Sequence, residues 1–240
     1  MVTCNMSAFL PPAPQPTKNV SDLHIRILGC QPYLDVWQRM QHFTSSRTSD
    51  CEDQLWIAMH PATFTQGQAG DACHLGDLGN IPLVQTDRGG QVTYHGEGQL
   101  IFYPLIDLNR KKIGVKAFVQ HLESISQQLF SDYDIDAQLK EGAPGLYVKG
   151  QKIASLGLKI KRGCSYHGLA ININMNLEPF SRITPCGLTG MTVTQWTAHA
   201  CAPSYEHLAQ AWIQLFSDTL GYSAKVTHPQ ESSWHCPTSP

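Results

Sequence analysis

The stretch from Gly145 to Gly187 constrains this chain more than any other, because it opens with three strand-like runs laid end to end. GLYV is a short β-prone run, KG reads as a turn, and KIASLGLKI sets Ile153, Leu156, Leu158 and Ile160 along an extended segment. SYHGLAININ, alternating large and small residues, reads as a third strand. RITPCGL differs: Pro185 fixes its own φ and restricts Thr184, while Gly187 tolerates unusual backbone angles. Cys186 is therefore expected on a tight turn, where a nucleophile can face a substrate.

A free thiol with a pKa of about 8.5 is only a few per cent thiolate at neutral pH. A lysine ammonium about 4 Å away favours the thiolate by up to roughly 4 kcal/mol at an effective dielectric near 20. Desolvation takes part of that back. Lys152 is the candidate, standing beside the apolar and small run IASLG, in a strand expected to be covered; buried and neutral, it could accept the proton itself. Spacing alone leaves the alternative open, an exposed hairpin lysine and an ordinary buried cysteine.

At 240 residues, 42% hydrophobic and 15% charged, the chain suits a soluble globular protein with a substantial core. The net charge of −2 argues against general nucleic-acid binding. No run reaches the length of a membrane span, and the proline-containing N-terminus lacks the pattern of a signal peptide. The cysteines stand singly at 4, 30, 51, 73, 164, 186, 201 and 236, without a CxxC pair, and are expected to be reduced thiols in a cytoplasmic protein. Neither Cys73-His74 nor Cys164 with His167 has a second pair at zinc-site spacing, so no metal and no cofactor is expected.

DLHIRILG reads as an opening strand, and Pro32 starts a helix with Leu34, Trp37, Met40 and Gln41 at helical spacing. QLWIAMH and IPLVQTD read as strands, with a loop across PATFTQGQAGDACHLGDLGN. DRGGQVTYHGEG is expected to be a glycine-rich loop whose backbone permits close approach, with Arg88 bracing it or facing an anion. It is neither GxxxxGK[ST] nor GxGxxG, which weakens a nucleotide reading. QLIFYPLIDL reads as a strand buried on both faces. A helix then carries Val115, Phe118, Val119, Leu122, Ile125 and Leu129 on one side, and a last helix carries Leu208, Ala211, Trp212, Leu215 and Leu220. The expected organisation is a proline-rich tail over 1–20, one catalytic domain over 21–222, and a loose polar tail over 223–240.

RGGQVTYHGEGQ, KIASLGLKI, GCSYHGLAINI and RITPCGL, in that order and spacing, resemble the bacterial lipoyl(octanoyl) transferases, octanoyl-acyl-carrier-protein:protein N-octanoyltransferases. The resemblance covers roughly residues 24–222. It implies the α/β fold shared with biotin and lipoate protein ligases: a mixed sheet flanked by helices, with a smaller second sheet. It implies that Cys186 takes octanoyl from the thioester of acyl carrier protein. The acyl chain then passes to the lysine ε-amine of an apo lipoyl domain, on 2-oxoacid dehydrogenase E2 subunits or the glycine cleavage H protein. Lys152 matches the lysine that lowers the cysteine pKa. Arg88, Gly89, Gly90, Gln91, Val92, Thr93, Tyr94 and His95 match the loop lining the acyl site, as do Ser155, Leu156 and Gly157 and Gly168, Leu169 and Ala170. One departure is Glu97, which stands where the family usually has proline.

Burying roughly seven carbons of an octanoyl chain is worth on the order of 5 kcal/mol. The family's donors are acidic, so Arg110, Lys111, Lys112, Lys159, Lys161 and Arg162 are candidate docking residues. The rival readings are an ATP-dependent lipoate or biotin ligase and a non-catalytic acyl-carrier-binding module. Cys164 is the rival nucleophile, but residues three apart on a strand face opposite sides.

Overall fold

The structure, a computed structural model, describes residues 21–184 and 191–227, together with 234 and 236. The N-terminal tail expected over 1–20 lies outside the described residues.

Among the described residues the main sheet has eight strands. They are β1 (Ser21–Cys30), β2 (Asp53–Met59), β6 (Gln99–Leu105), β7 (Gln138–Leu139), β8 (Gly145–Val148), β9 (Gln151–Lys161), β10 (Cys164–Asn172) and β11 (Tyr222–Thr227). Their order is β11-β1-β2-β6-β10-β9-β8-β7, and the sheet is mixed, β1 running parallel to β2 and β11. A smaller sheet holds β3 (Thr63–Gln66), β4 (Leu83–Gln85) and β5 (Val92–His95) in the order β4-β3-β5. The α/β class and second sheet match expectation. The loops expected over residues 61–80 and 87–98 in fact contribute β3 and β5, whose Thr65 and Thr93 pair across the small sheet.

Period-two alternation in β6 splits its apolar residues between two cores. Leu100 and Phe102 join the larger, Ile101, Tyr103 and Leu105 the smaller. Helices α3 (Val115–Ser131) and α4 (Tyr205–Leu220) cover the larger, where Phe102 stacks on Trp212 with centroids 4.2 Å apart. Helix α1 (Tyr33–Ser46) covers the other face with Val36 and Met40. Its buried face is turned from the expected one: Leu34 is 44% exposed, while Trp37 and Gln41 hydrogen-bond Asp87. Val115 is likewise exposed, and in α4 the buried set includes Ala209, Ile213 and Phe216. In each helix the neighbouring elements, rather than spacing alone, decide which stripe is covered.

The β8–β9 hairpin turns on Lys149 and Gly150, both at positive φ, as a two-residue primed turn requires. Pro104 sits inside β6 and supplies no N–H to the ladder. Ser165 repairs the gap: its Oγ donates to the Pro104 carbonyl at 2.7 Å and accepts from the Ile106 N–H at 3.0 Å. Close by, His167 takes a positive φ and Gly168 lies where a Cβ would meet the Phe102 carbonyl at 1.9 Å.

Two expectations are corrected at the C-terminus. Residues from Ser223 are not simply a loose tail, because β11 continues to Thr227 beside β1. Nor are all cysteines reduced: Cys30 and Cys236 form a disulfide with Cα atoms 5.0 Å apart, and Trp234 next to it is buried. Single cysteines far apart in sequence give no hint of pairing until the sheet brings them together.

Candidate active site

Strands β9 and β10 pair with Gly157 opposite Gly168 and Leu156 opposite Leu169, two small residues between larger ones. The glycine-rich segment lies across them. The Gly89 N–H donates to the Leu158 carbonyl at 2.9 Å, and a Cβ on Gly157 would sit 3.2 Å from the Gly89 carbonyl. Between these layers is a cleft with about 660 Å³ of empty space including its open mouth. Arg88, Gly89, Gly90, Gln91, Val92, Thr93 and His95 line it from one side, Ser155, Leu156, Gly157, Gly168, Leu169 and Ala170 from the sheet. Tyr94 is the exception. Its ring packs between Phe64 and Phe180 in the core of the small sheet.

Lys152 lines one end of this cleft and is 2% exposed, its ammonium 5.4 Å from the centre of the Tyr147 ring. Gly145 (φ 118°) makes room for it, since a Cβ there would meet Lys152 Cε at 2.8 Å and the Ala154 carbonyl at 2.3 Å. The backbone of Lys152 is held on both sides. Its N–H donates to the Thr192 carbonyl and its carbonyl accepts from the Thr194 N–H, each at 2.9 Å. On the other flank of residues 185–190, the Thr184 N–H donates to the His74 carbonyl at 2.9 Å. Cys186 itself lies outside the described residues.

A line of buried hydrogen bonds connects the glycine loop to Thr194. Arg88 Nη2 donates to Thr65 Oγ1 at 2.9 Å, and Thr65 Oγ1 donates to His95 Nε2 at 3.3 Å. His95 Nδ1 donates to Gln99 Oε1 at 2.7 Å, and Gln99 Nε2 donates to Asn172 Oδ1 at 2.9 Å. Asn172 Nδ2 closes the line on the Thr194 carbonyl at 2.9 Å. All five point the same way, so they polarise one another. The direction requires a neutral His95, and burial, with help from His60, lowers its pKa to about 3.

A second cluster closes the opposite end. Burial alone would raise the Asp87 pKa, but donors on His167, Tyr166, Trp37 and Gln41 hold it below the usual carboxylate range. Asp87 accepts from His167 Nε2 at 2.9 Å, which leaves Nδ1 to accept from the Tyr33 hydroxyl at 3.4 Å. Behind Tyr33, His60 Nδ1 donates to the Gln31 carbonyl at 2.6 Å and Nε2 accepts from the Tyr103 hydroxyl at 2.7 Å. Burial lowers the His60 pKa to about 4. Sequence reading did not single out Tyr33, His60, Asp87 or Tyr103. The one available signal was Pro104, whose place in an otherwise buried strand announces an irregular ladder beside His167.

The lipoyl protein ligase A/B catalytic domain family matches residues 32–217. The chain belongs to this family. An octanoyltransferase from Shewanella sp. (strain W3-18-1) is 52% identical over 206 residues, covering 86% of this chain and 95% of the relative. One from Shewanella baltica (strain OS155) is 50% identical over the same shares. The chain is thus an acyltransferase of the lipoyl ligase family. Its fold is that of a bipartite lipoate protein ligase from Thermoplasma acidophilum (TM-score 0.70, 17% identity, 88% and 89% of the two chains covered). Lipoate-protein ligase A bound with ATP has the same fold (TM-score 0.69, 17% identity, 89% and 90% covered).

At Glu97 the chain turns without a proline. The Gln99 N–H donates to the Gly96 carbonyl at 3.2 Å, and Gly98 (φ 87°) sits where a Cβ would collide with the Asn174 carbonyl. Cys164 does not line the cleft; it is buried beside α2 (Leu108–Lys111), and burial raises its pKa. The candidate docking cations already hold the fold in part. Arg110 pairs with Asp53 at 2.7 Å, Lys111 donates to the Leu220 carbonyl at 2.9 Å, and Arg162 donates to the Thr44 carbonyl at 3.1 Å. Lys159 donates to the Gln68 side chain at 3.0 Å and Lys161 to the Ser45 hydroxyl at 3.1 Å.

Proposed function

We propose that this enzyme moves an octanoyl (or lipoyl) group from acyl carrier protein to the lysine ε-amine of apo lipoyl domains, through a thioester on Cys186. The relatives' names and the lipoyl ligase fold support the acyl group and the lipoyl-domain acceptor. The observation that carries the reading is Lys152, a buried lysine lining the cleft, bonded through its backbone to the segment that follows Cys186 in the chain.

In the first step the Cys186 thiolate attacks the carbonyl carbon of the carrier's thioester. The pantetheine thiol leaves as thiolate and takes up a proton. In the second, the neutral acceptor amine attacks the Cys186 thioester, a C–N bond forms, the C–S bond breaks, and the amine's proton is released. Thioester exchange is close to thermoneutral, and amide formation drives the sequence without ATP. Lys152 stabilises the Cys186 thiolate as attacking group in the first step and as leaving group in the second. Backbone N–H groups of the glycine loop are the available donors for the tetrahedral oxyanion. Of the candidate docking residues, Lys112, Lys159 and Lys161 hold no backbone carbonyl among the described residues, and we assign these three to an acidic carrier. No helix of the described residues is long and apolar enough to cross a membrane.

The test is intact-mass measurement after mixing with octanoyl-acyl carrier protein without ATP. One octanoyl group should appear on the Cys186 peptide and disappear when an apo lipoyl domain is added. Cys186→Ser should abolish the adduct, and Lys152→Ala should slow its formation by at least tenfold. Acylation that instead required octanoate and ATP would replace this reading with an adenylating ligase.

A further inference from the structure

Lys152 and Ser155 both line the cleft, although a regular strand would set them on opposite faces. They are three residues apart on β9, and strand side chains alternate. A β-bulge resolves the conflict. Gly145 pairs with Ser155 and Leu146 with Ala154, but Tyr147 then pairs with Lys152, so Ile153 is the extra residue. Ile153 and Ala154 both pack in the larger core, which leaves Lys152 on the cleft face.

Residues directly opposite in an antiparallel pair share a face, so the bulge also sets Lys152 beside Tyr147. The ammonium lies over the ring, 5.4 Å from its centre, and both residues are buried. Gly145, two residues before Tyr147, leaves space for the lysine's Cε. The ring is anchored at its far end, where the hydroxyl donates to the Ala143 carbonyl at 3.1 Å. Two further charged groups approach. Lys140 brings an exposed ammonium to 5.8 Å from the same ring, and Glu123 accepts from the Gly145 N–H at 3.0 Å. Burial strips water from the Lys152 ammonium, and the negative face of an aromatic ring replaces part of that solvation. An aliphatic side chain would fill the space without offering such a face.

We propose that Tyr147 is a positioning residue that keeps Lys152 in the cleft as an ammonium. This rests on the acyl-transfer reading above, in which that charge stabilises the Cys186 thiolate, and adds what holds the charge in place.

The experiment follows alkylation of Cys186 by iodoacetamide against pH, read on its own peptide by mass spectrometry. The proteins are wild type, Tyr147→Phe, Tyr147→Leu, and one with pentafluorophenylalanine in place of Tyr147. The fluorinated ring keeps nearly the shape of phenylalanine but reverses the sign of its face. Circular dichroism confirms that each is folded. Tyr147→Leu and the fluorinated ring should each slow labelling at pH 7 about tenfold, the scale of a desolvated cation–π contact. The high-pH limit should stay, so the change is a raised apparent thiol pKa. Tyr147→Phe keeps the ring and should recover the wild-type profile. A merely structural role would lower the melting temperature without moving the profile. Wild-type profiles in the leucine and fluorinated proteins would overturn the proposal, as would a Tyr147→Phe profile displaced as far as that of Tyr147→Leu. If wild-type Cys186 reacts as an ordinary thiol and Lys152→Ala changes nothing, the thiolate reading itself falls, and the role of Tyr147 with it.

Discussion

The side chain of Asn172 donates to the Thr194 carbonyl at 2.9 Å, and the N–H of that same Thr194 holds the carbonyl of Lys152. A central strand of the sheet thus fixes the backbone that carries the candidate catalytic lysine. Asn172→Leu should leave Gln99 and the Thr194 carbonyl without their partner, at about 1–3 kcal/mol. Urea unfolding should register that loss, and acylation of the enzyme should slow more than global stability explains.

Gly145 bears on Lys152 from the other side. Gly145→Ala places a methyl against Lys152 Cε and the Ala154 carbonyl at a φ of 118°. The substitution should destabilise the protein by more than about 1 kcal/mol and displace the lysine. Thiol-labelling rate against pH would show it as a raised apparent pKa at Cys186. A profile identical to wild type would contradict the proposed coupling.

Asp53 ties three elements together, accepting from Arg47 at 2.8 Å, Arg110 at 2.7 Å and the Tyr222 hydroxyl at 2.7 Å. Burial opposes its charge, but these donors hold its pKa below the ordinary value. Asp53→Asn should cost about 3–5 kcal/mol, because Arg47 is left buried without its carboxylate. The loss should be visible in chemical denaturation and include looser hydrogen-exchange protection in β11.

His60 and His95 are buried neutral, with pKa values lowered by burial to about 4 and about 3. Between pH 6.5 and those values the unfolded chain binds protons that the folded chain does not. Stability should therefore fall on acidification through this window, by up to about 1.4 kcal/mol per pH unit for each histidine. Denaturation midpoints from pH 7 to pH 5 measure the slope, and His60→Gln should flatten part of it.

The Cys30–Cys236 bond ties Cys236 to the end of β1. Reduction, or Cys236→Ser, should lower stability by about 2–4 kcal/mol. At roughly 2–4 °C per kcal/mol the melting temperature should drop measurably. Equal melting with and without dithiothreitol would mean that the bond does not form in solution.

Much of this protein was determined locally. The Lys149-Gly150 turn, the strands around it and the doubly buried β6 follow from residue type and spacing, because a two-residue turn and a period of two leave few other conformations. The motifs carrying the family resemblance are contiguous, and so were readable. Tertiary structure alone decided the rest. Which stripe of α1 faces inward, the partnership of Asp87 with His167, the line from Arg88 to Thr194 and the joining of Cys30 to Cys236 all unite residues far apart in the chain. Their energies come from burial and from hydrogen bonds that must be satisfied once water is excluded, and no local pattern records which distant partner will do so.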